Sequence, residues 1–339
     1  MGKYKTKKHL SLDICKNESW AKYNHKQNRT YKNVDDNWQE ALEKMPREKK
    51  KELFFKYALE GNKKMLKAIY TSEGEPVDLN AKDLDGNNAL MFALKSGRRD
   101  AIKYLLEIGI DVNYVNELGF SPLHFAVRKN NLGLVALLVD SGANVNIEGK
   151  NGETPLFDAV FENNGEMVFA LVANGANVDA RTKDGQTSLM RASENKSRQS
   201  AFRALIASGA DVNMVDDYGK NALIRAIEHE NNVCMDTLIK CGIDIDWKDN
   251  KGMTAVCQCA KMGNREALRV LVSKFANIFE RDNNGRNAVE IAKHYKNHGC
   301  VDILEKATRI YESNMSIEQK TQALAKFGMQ NKVANSCVK

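Results

Sequence analysis

The sequence predicts an all-α fold, a solenoid of stacked helix pairs joined by exposed hairpins, with one further helix at each end. Three observations predict it. Glycines recur at Gly86, Gly119, Gly152, Gly185, Gly219, Gly252 and Gly285, at spacings of 33, 33, 33, 34, 33 and 33. Two residues after each stands a helix-capping Asn, Ser or Thr, followed by a small residue or proline and then a branched or apolar one. A second set, Gly109, Gly142, Gly175, Gly209 and Gly242, closes the second helix of each unit, with Phe275 as the one departure. A chain of 339 residues would otherwise suggest two or three globular domains, but repeat proteins grow by adding units. Aromatics at 7% and only 4 prolines require an aliphatic, helical core.

The elements follow in order. Residues 1–33 hold nine Lys/Arg against Asp13 and Glu18, while the rest of the chain balances 42 against 42. The basic character therefore belongs to an arm and not to the body. Few apolar residues interrupt that arm, apart from Trp20, Tyr23 and Tyr31. A helix capped by Asp35 or Asp36 carries Trp38, Ala41, Leu42 and Met45 on one face. Pro46 breaks it and opens the next. Residues 47–70 read as a helix pair that lacks the opening phrase, with an insertion at Ser72–Val77. The organisation is thus an arm (1–33), an N-terminal helix with a degenerate capping repeat (34–80), a repeat domain (81–313) and a C-terminal helix and tail (314–339).

Within the period, the phrases run Asn88-Ala89-Leu90-Met91, Ser121-Pro122-Leu123-His124, Thr154-Pro155-Leu156-Phe157, Thr187-Ser188-Leu189-Met190, Asn221-Ala222-Leu223-Ile224, Thr254-Ala255-Val256-Cys257 and Asn287-Ala288-Val289-Glu290. A small residue follows at Ala93, Ala126, Ala159, Ala192, Ala226, Cys259 and Ala292, where neighbouring helices approach closely. No unit can bury its own apolar face, so stability comes from stacking. The 34-residue spacing places one extra residue in Glu194–Ser200, and Ser188 replaces Pro in the same unit, so a local distortion is expected there. The last unit exposes Lys293, Lys296, Glu305, Lys306 and Arg309, as a terminal cap requires. Ser316 caps a further helix through Ile317, Ala323, Leu324 and Phe327 that folds back over that cap, and residues from Gly328 read as a tail.

Seven phased units of this period and phrasing resemble the ankyrin-repeat family over residues 85–310, and more loosely over 47–80. The resemblance implies a curved ankyrin-repeat solenoid with β-hairpin loops on one side. It also implies binding of another protein through hairpin tips and the concave face of the first helices. His124, by the same resemblance, hydrogen-bonds backbone and supports a hairpin.

Residues outside the repeat grammar offer little chemistry. His294, His298 and Cys300 were candidates for zinc, but Gly299 reads as a helix end and a fourth ligand is missing. Cys257 and Cys259 lie two apart and diverge on a helix. Glycine-rich spacing such as Gly142, Gly149 and Gly152 lacks the Lys-Ser/Thr of a phosphate loop. The flanks, about 46 and 26 residues, are too short for a catalytic domain. The reading is a non-enzymatic protein with no catalytic, cofactor or metal residues and no small-molecule substrate.

Seven cysteines without framework spacing fit reduced thiols, and the longest dense apolar run, Leu134 to Val139, is far short of the ~18 residues of a membrane span. The expectation is a monomeric, soluble, cytoplasmic protein. Met1-Gly2-Lys3-Tyr4-Lys5-Thr6 with Lys7-Lys8 fits the loose N-myristoylation pattern; the plainer reading is a solvated basic arm.

Surface that the skeleton does not need forms two clusters. One is Tyr114, Val115, Leu118 and Phe120, with Arg128 and Lys129. The other is Met214, Val215, Tyr218, Trp247, Met253 and Met262, with Lys220, His229 and Lys261. Apolar and aromatic residues beside basic ones suit a partner-binding hot spot; the competing reading packs the residues before each tip against neighbouring hairpins. The partner is another protein. The alternative uses residues 1–33 to tether the chain to an anionic membrane or nucleic acid. A third reading, from the Lys- and Asn-rich composition, is an effector secreted by an intracellular bacterium and acting on host proteins in the host cytosol.

Overall fold

The computed structural model describes residues 38–334. The expectations placed on residues 1–37, including the basic arm, the acylation pattern and the Asp35/Asp36 cap, lie outside the described residues, as do residues 335–339. Among the described residues the chain is helical throughout and forms no strand; a single bridge pairs Arg181 with Thr187.

Helix α1 (Trp38–Glu43) precedes the first pair, α2 (Arg47–Glu60) and α3 (Lys63–Tyr70). Seven inner–outer pairs follow: α4 (Ala89–Ser96) with α5 (Arg99–Glu107), α6 (Pro122–Arg128) with α7 (Leu132–Asp140), α8 (Pro155–Phe161) with α9 (Gly165–Ala173), and α10 (Ser188–Ser193) with α11 (Gln199–Ala207). The series ends with α12 (Ala222–Glu228) and α13 (Asn232–Lys240), α14 (Ala255–Met262) and α15 (Arg265–Ser273), then α16 (Ala288–His294) and α17 (His298–Tyr311). Helix α18 (Ile317–Ala334) closes the chain.

The capping logic holds in six of the seven inner helices. Asn88, Ser121, Thr187, Asn221, Thr254 and Asn287 each accept from the amide three residues on. Thr154 is the exception: the Phe157 amide donates instead to the Thr154 carbonyl (2.9 Å), and the buried hydroxyl has no partner. The glycines that close the outer helices have φ of 83–89°, a left-handed region that a side chain resists. Phe275 occupies the same conformation at φ 59° and stacks on Tyr311, ring centroids 6.0 Å apart.

Each hairpin is a tight turn rather than a strand pair. Two backbone bonds close it, as in Asn116 N–H to Phe120 O (3.0 Å) with Gly119 N–H to Asn116 O (2.9 Å), and Asp216 N–H to Lys220 O (3.0 Å) with Gly219 N–H to Asp216 O (2.9 Å). An Asx side chain completes it in five units, as where Asn116 Oδ1 accepts from Leu118 and Phe120 and Asp216 Oδ1 from Tyr218 and Lys220; Thr182 does so in the fourth unit, and Gly149 stands there in the third. So few bonds per unit cannot extend a ladder. The hairpins hold one another instead, since Lys183, Asp217, Asn250 and Asn283 donate to the carbonyls of Asn151, Asp184, Tyr218 and Lys251. A second ladder runs behind them: Asn113, Asn146, Asp179, Asn213 and Asp246 each accept from an amide one unit on, at 2.7–3.0 Å. The recurrent Asn/Asp therefore sets repeat-to-repeat register through a backbone donor that would otherwise be unpaired.

The apolar core runs as one continuous stack from Leu42 to Leu324. At the N-terminal end, Lys50 is fully buried. Its ammonium donates to Ser72 Oγ (3.1 Å) and to the carbonyls of Glu73 (3.1 Å) and Glu75 (2.8 Å). The insertion at Ser72–Val77 is thereby folded around a lysine of α2.

The expected distortion falls in the fourth pair. Helix α10 has only six residues and no residue of positive φ follows it; Glu194–Arg198 makes a wider turn, with Asn195 N–H to Ala192 O (3.3 Å) and Arg198 N–H to Asn195 O (3.0 Å).

Two sequence expectations are corrected at the C-terminal end. Gly299 does not end a helix; it lies in the first turn of α17, where helix propensity matters least, and His294 and His298 belong to different helices. The chain after Gly328 is not a tail, because α18 continues to Ala334. A single glycine costs a helix about 1 kcal/mol, which a docked helix can absorb. Helix α18 is capped reciprocally by Ser316 and Gln319, packs against α15 and α17, and buries Leu324 completely.

Candidate functional site

The residues of the two predicted clusters lie at separate units, along the hairpins and inner helices. In the second unit, Phe120 is half-buried between the Phe125 and His124 rings, each 6.2 Å away edge-on. The Arg128 guanidinium lies 4.0 Å from the Phe120 ring centroid. Leu118 at the tip and Lys129 at the end of α6 are exposed, whereas Tyr114 and Val115 are half-buried in the hairpin stem.

In the fifth and sixth units, Tyr218 is 58% exposed and the Arg225 guanidinium stands 5.9 Å from its ring. Lys220 pairs with Glu228 at 2.5 Å, and Val215 is half-buried. Trp247 combines both readings made of it: its ring is 39% exposed, and its Nε1 donates to the Gly219 carbonyl of the preceding hairpin at 2.7 Å.

Two members of this cluster differ from expectation. Met253 is buried at 7%, because its amide is drawn to Asp249 Oδ1 (2.9 Å) and its side chain turns into the stack, so it offers no free surface. Met262 stands at the far end of its helix and lines a cavity of about 460 Å³ with Lys196, Arg265 and Arg269, apart from the hairpin residues.

An ionic chain along the inner helices was not legible as a unit in the sequence. Arg128 Nε donates to Asp158 Oδ1 at 2.8 Å. Arg191 reaches Glu153 (3.8 Å) and Glu194 (3.7 Å). Arg225 reaches Glu194 (3.6 Å) and binds Asp216 through Nε (2.9 Å). Gln258 Nε2 donates to Glu228 (2.8 Å). Asp158, Arg191, Arg225 and Gln258 occupy one repeat register, six residues after the opening glycine, which is the signal that could have found them.

Burial decides the ionisation of two groups here. It pushes the Asp158 carboxyl up to about 7, against the pull of Arg128, with Glu153 and Glu162 adding to the push. It pulls the His124 imidazole down to about 4, opposed by its contact with the Glu153 carbonyl. His124 Nδ1 faces the Ser121 amide and hydroxyl, and Nε2 lies 3.2 Å from Glu153 O in the next hairpin. A neutral imidazole so held braces two hairpins.

The buried thiols Cys234, Cys257, Cys259 and Cys300 are likewise pushed up, Cys234 to about 11, which disfavours the nucleophilic thiolate. Among the described residues no group of three or more His, Cys, Asp or Glu stands where it could hold a metal, and no helix is long and apolar enough to cross a membrane.

A stack of helix pairs with hairpins on one side, whose inner face carries exposed aromatics and paired charges, defines a repeat solenoid of the protein-interaction class. The family model described as ankyrin repeats (3 copies) matches residues 54–149, 108–182, 156–249 and 223–314, and the chain belongs to the ankyrin-repeat family. Among solved structures it is similar to the ankyrin repeat domain of Bcl-3, described as a unique member of the IkappaB protein family. That match has a TM-score of 0.59 and 26% identity, over 65% of this chain and 99% of that one. No curated protein gives a significant match. The repeats make the chain a protein–protein interaction module, on a fold that is typically a non-enzymatic scaffold.

Proposed function

We propose that this module binds one partner protein through its inner helices and hairpin tips, with anchors in the second and in the fifth and sixth units. The observation that carries this reading is a repeated arrangement. In both places an aromatic ring beside the opening glycine, Phe120 or Tyr218, meets an arginine of the inner helix, Arg128 or Arg225. Leu118 and Trp247 extend the apolar surface on the hairpin side. An arginine already stacked and ion-paired is held in place before a partner arrives, which lowers the entropy lost on binding. Free thiols and the absence of framework cysteine spacing support a reducing compartment.

The test is a Phe120→Ala/Tyr218→Ala/Trp247→Ala variant used as bait beside the unmodified chain, with partners from the native cell identified by mass spectrometry. Loss of a true anchor costs on the order of 2 kcal/mol or more, so the specific partner should disappear. Its full retention by a folded variant rules out this surface.

The nine Lys/Arg of residues 1–33 favour a second reading, contact with an anionic surface. Binding to anionic vesicles or nucleic acid should then fall steeply with salt and vanish on deletion of residues 1–33. Binding insensitive to salt removes it.

A further inference from the structure

We propose that the middle of the inner face holds a separate contact for an acidic peptide segment, in which a partner carboxylate pairs with Arg198 and an adjoining apolar side chain packs on Phe161. The inference rests on the reading of the chain as a protein-binding module and adds the chemistry of the bound segment.

Phe161 is the first observation. The residue two after the small packing position is Lys95, Arg128, Phe161, Glu194, Glu228, Lys261 or His294 in the seven units. Six are polar, so the solenoid needs nothing apolar there, yet Phe161 is 43% exposed. It shares a helix face with Asp158, three residues earlier.

Arg198 is the second. It ends the turn widened by the extra residue of the fourth unit and opens the outer helix α11, at a position held by Asn in five other units and by Arg98 in the first. Its guanidinium lies 5.2 Å from the Phe161 ring centroid, and Nη1 donates to the Arg191 carbonyl at 3.0 Å. Every other arginine of the inner ionic chain has a carboxylate: Arg128 has Asp158, Arg191 has Glu153 and Glu194, and Arg225 has Glu194 and Asp216. Half-buried Arg198 has none within ion-pair distance among the described residues, because Glu194 is shared by Arg191 and Arg225. Burial first, then the Arg191 charge, hold its guanidinium below the ordinary value, and the nearby Glu194 charge opposes them only in part, so an added anion relieves a remaining cost.

The surroundings select the kind of anion. Glu153, Asp158, Glu162 and Glu194 flank the site, and their charge disfavours a polyanion such as nucleic acid. One carboxylate beside an apolar side chain answers both residues with a single added negative charge, where a polyanion would set many against those acids. Two residues before Arg198, Lys196 opens onto the cavity lined by Met262, Arg265 and Arg269, where a following acidic residue finds further cations, with Glu230 and Glu266 setting its limits.

The probe is a displayed library of random dodecapeptides selected on the full chain. Enrichment of peptides that pair an acidic residue with an aromatic or large aliphatic one is expected; no binder, or binders without an acid, overturns the inference. The leading peptide is then titrated by fluorescence anisotropy. Phe161→Ala and Arg198→Gln should each weaken it by about tenfold or more, as should replacing its acids by amides, while Arg198→Lys should restore part of the loss. Circular dichroism on each variant separates lost binding from lost fold; Phe161→Ala, at an exposed position, serves where Arg198→Gln disturbs the turn. Unchanged affinity in both overturns the inference. The Phe120/Tyr218/Trp247 variant should keep the peptide. If it loses the peptide while Arg198→Gln keeps it, this inference fails and the hairpin-side reading stands. If it keeps both the peptide and the cellular partner, the hairpin-side reading fails instead.

Discussion

The Arg128 guanidinium donates to Asp158 Oδ1 across a repeat boundary at 2.8 Å, yet the second carboxylate oxygen, Oδ2, is buried without a partner among the described residues. A half-satisfied buried carboxylate is better protonated than ionised. Its pKa, raised to about 7 from 3.8, means the folded state keeps a proton that the unfolded chain releases. That stabilisation is fully present below 3.8 and is lost as pH rises to about 7, so this group's contribution to stability falls through the window. Asp158→Asn should therefore gain on the unmodified protein as pH rises from 4 to 7, by on the order of 2 kcal/mol at neutral pH. Urea midpoints across that range check it; a constant difference sinks it.

His124 has the opposite sign. Its pKa falls from 6.5 to about 4 on folding, so its contribution is complete above 6.5 and is lost as pH drops to about 4. In the Asp158→Asn background, where the compensating group is gone, stability should fall more steeply with acid than in the unmodified chain. An imidazole NMR titration of His124 with a midpoint near 6.5 in the folded protein would contradict this.

Lys50 presents the largest penalty for loss at a single side chain. Lys50→Met keeps the apolar stem but removes the donor to the Glu73 and Glu75 carbonyls and to the Ser72 hydroxyl, which retains only its own bond to Ile69 O. The expected cost is about 3 kcal/mol, with amides of residues 72–77 losing hydrogen-exchange protection before the rest of the stack. Equal protection in the two proteins would deny the lysine its role.

Trp247 separates packing from recognition. Trp247→Phe removes the donor to Gly219 O but keeps a ring, so stability should drop by about 1 kcal/mol. Thermal denaturation measures that step, and a larger loss of partner affinity than of stability in Trp247→Ala identifies the exposed ring as an anchor.

Leu324 tests the C-terminal helix. Leu324→Ala should cost about 2–3 kcal/mol and loosen α15 and α17, since the side chain is fully buried against the last outer helices. Denaturant unfolding unaffected by the change would mean that α18 is not part of the cooperative stack.

The ankyrin solenoid was determined by the sequence alone, because its local rules repeat. Gly119, Ser121, Leu123 and Ala126 each answer a requirement set within a few residues, a left-handed turn, a helix cap or a close helix contact, and the same answer recurs each period. Tertiary structure decided what depends on a neighbour one unit away. Met253 and Met262 read alike in sequence, but one turns into the stack and the other lines a cavity. The widened turn was legible as an extra residue, but not that it lays Arg198 over Phe161 and leaves it without a carboxylate. Lys50 looked like any lysine on a charged helix until the insertion folded around it. Periodicity fixes which residues face one another's repeats; which charges find partners is settled only when the repeats stack, because each ion pair on the inner face is drawn from two units or from a turn and a helix of one.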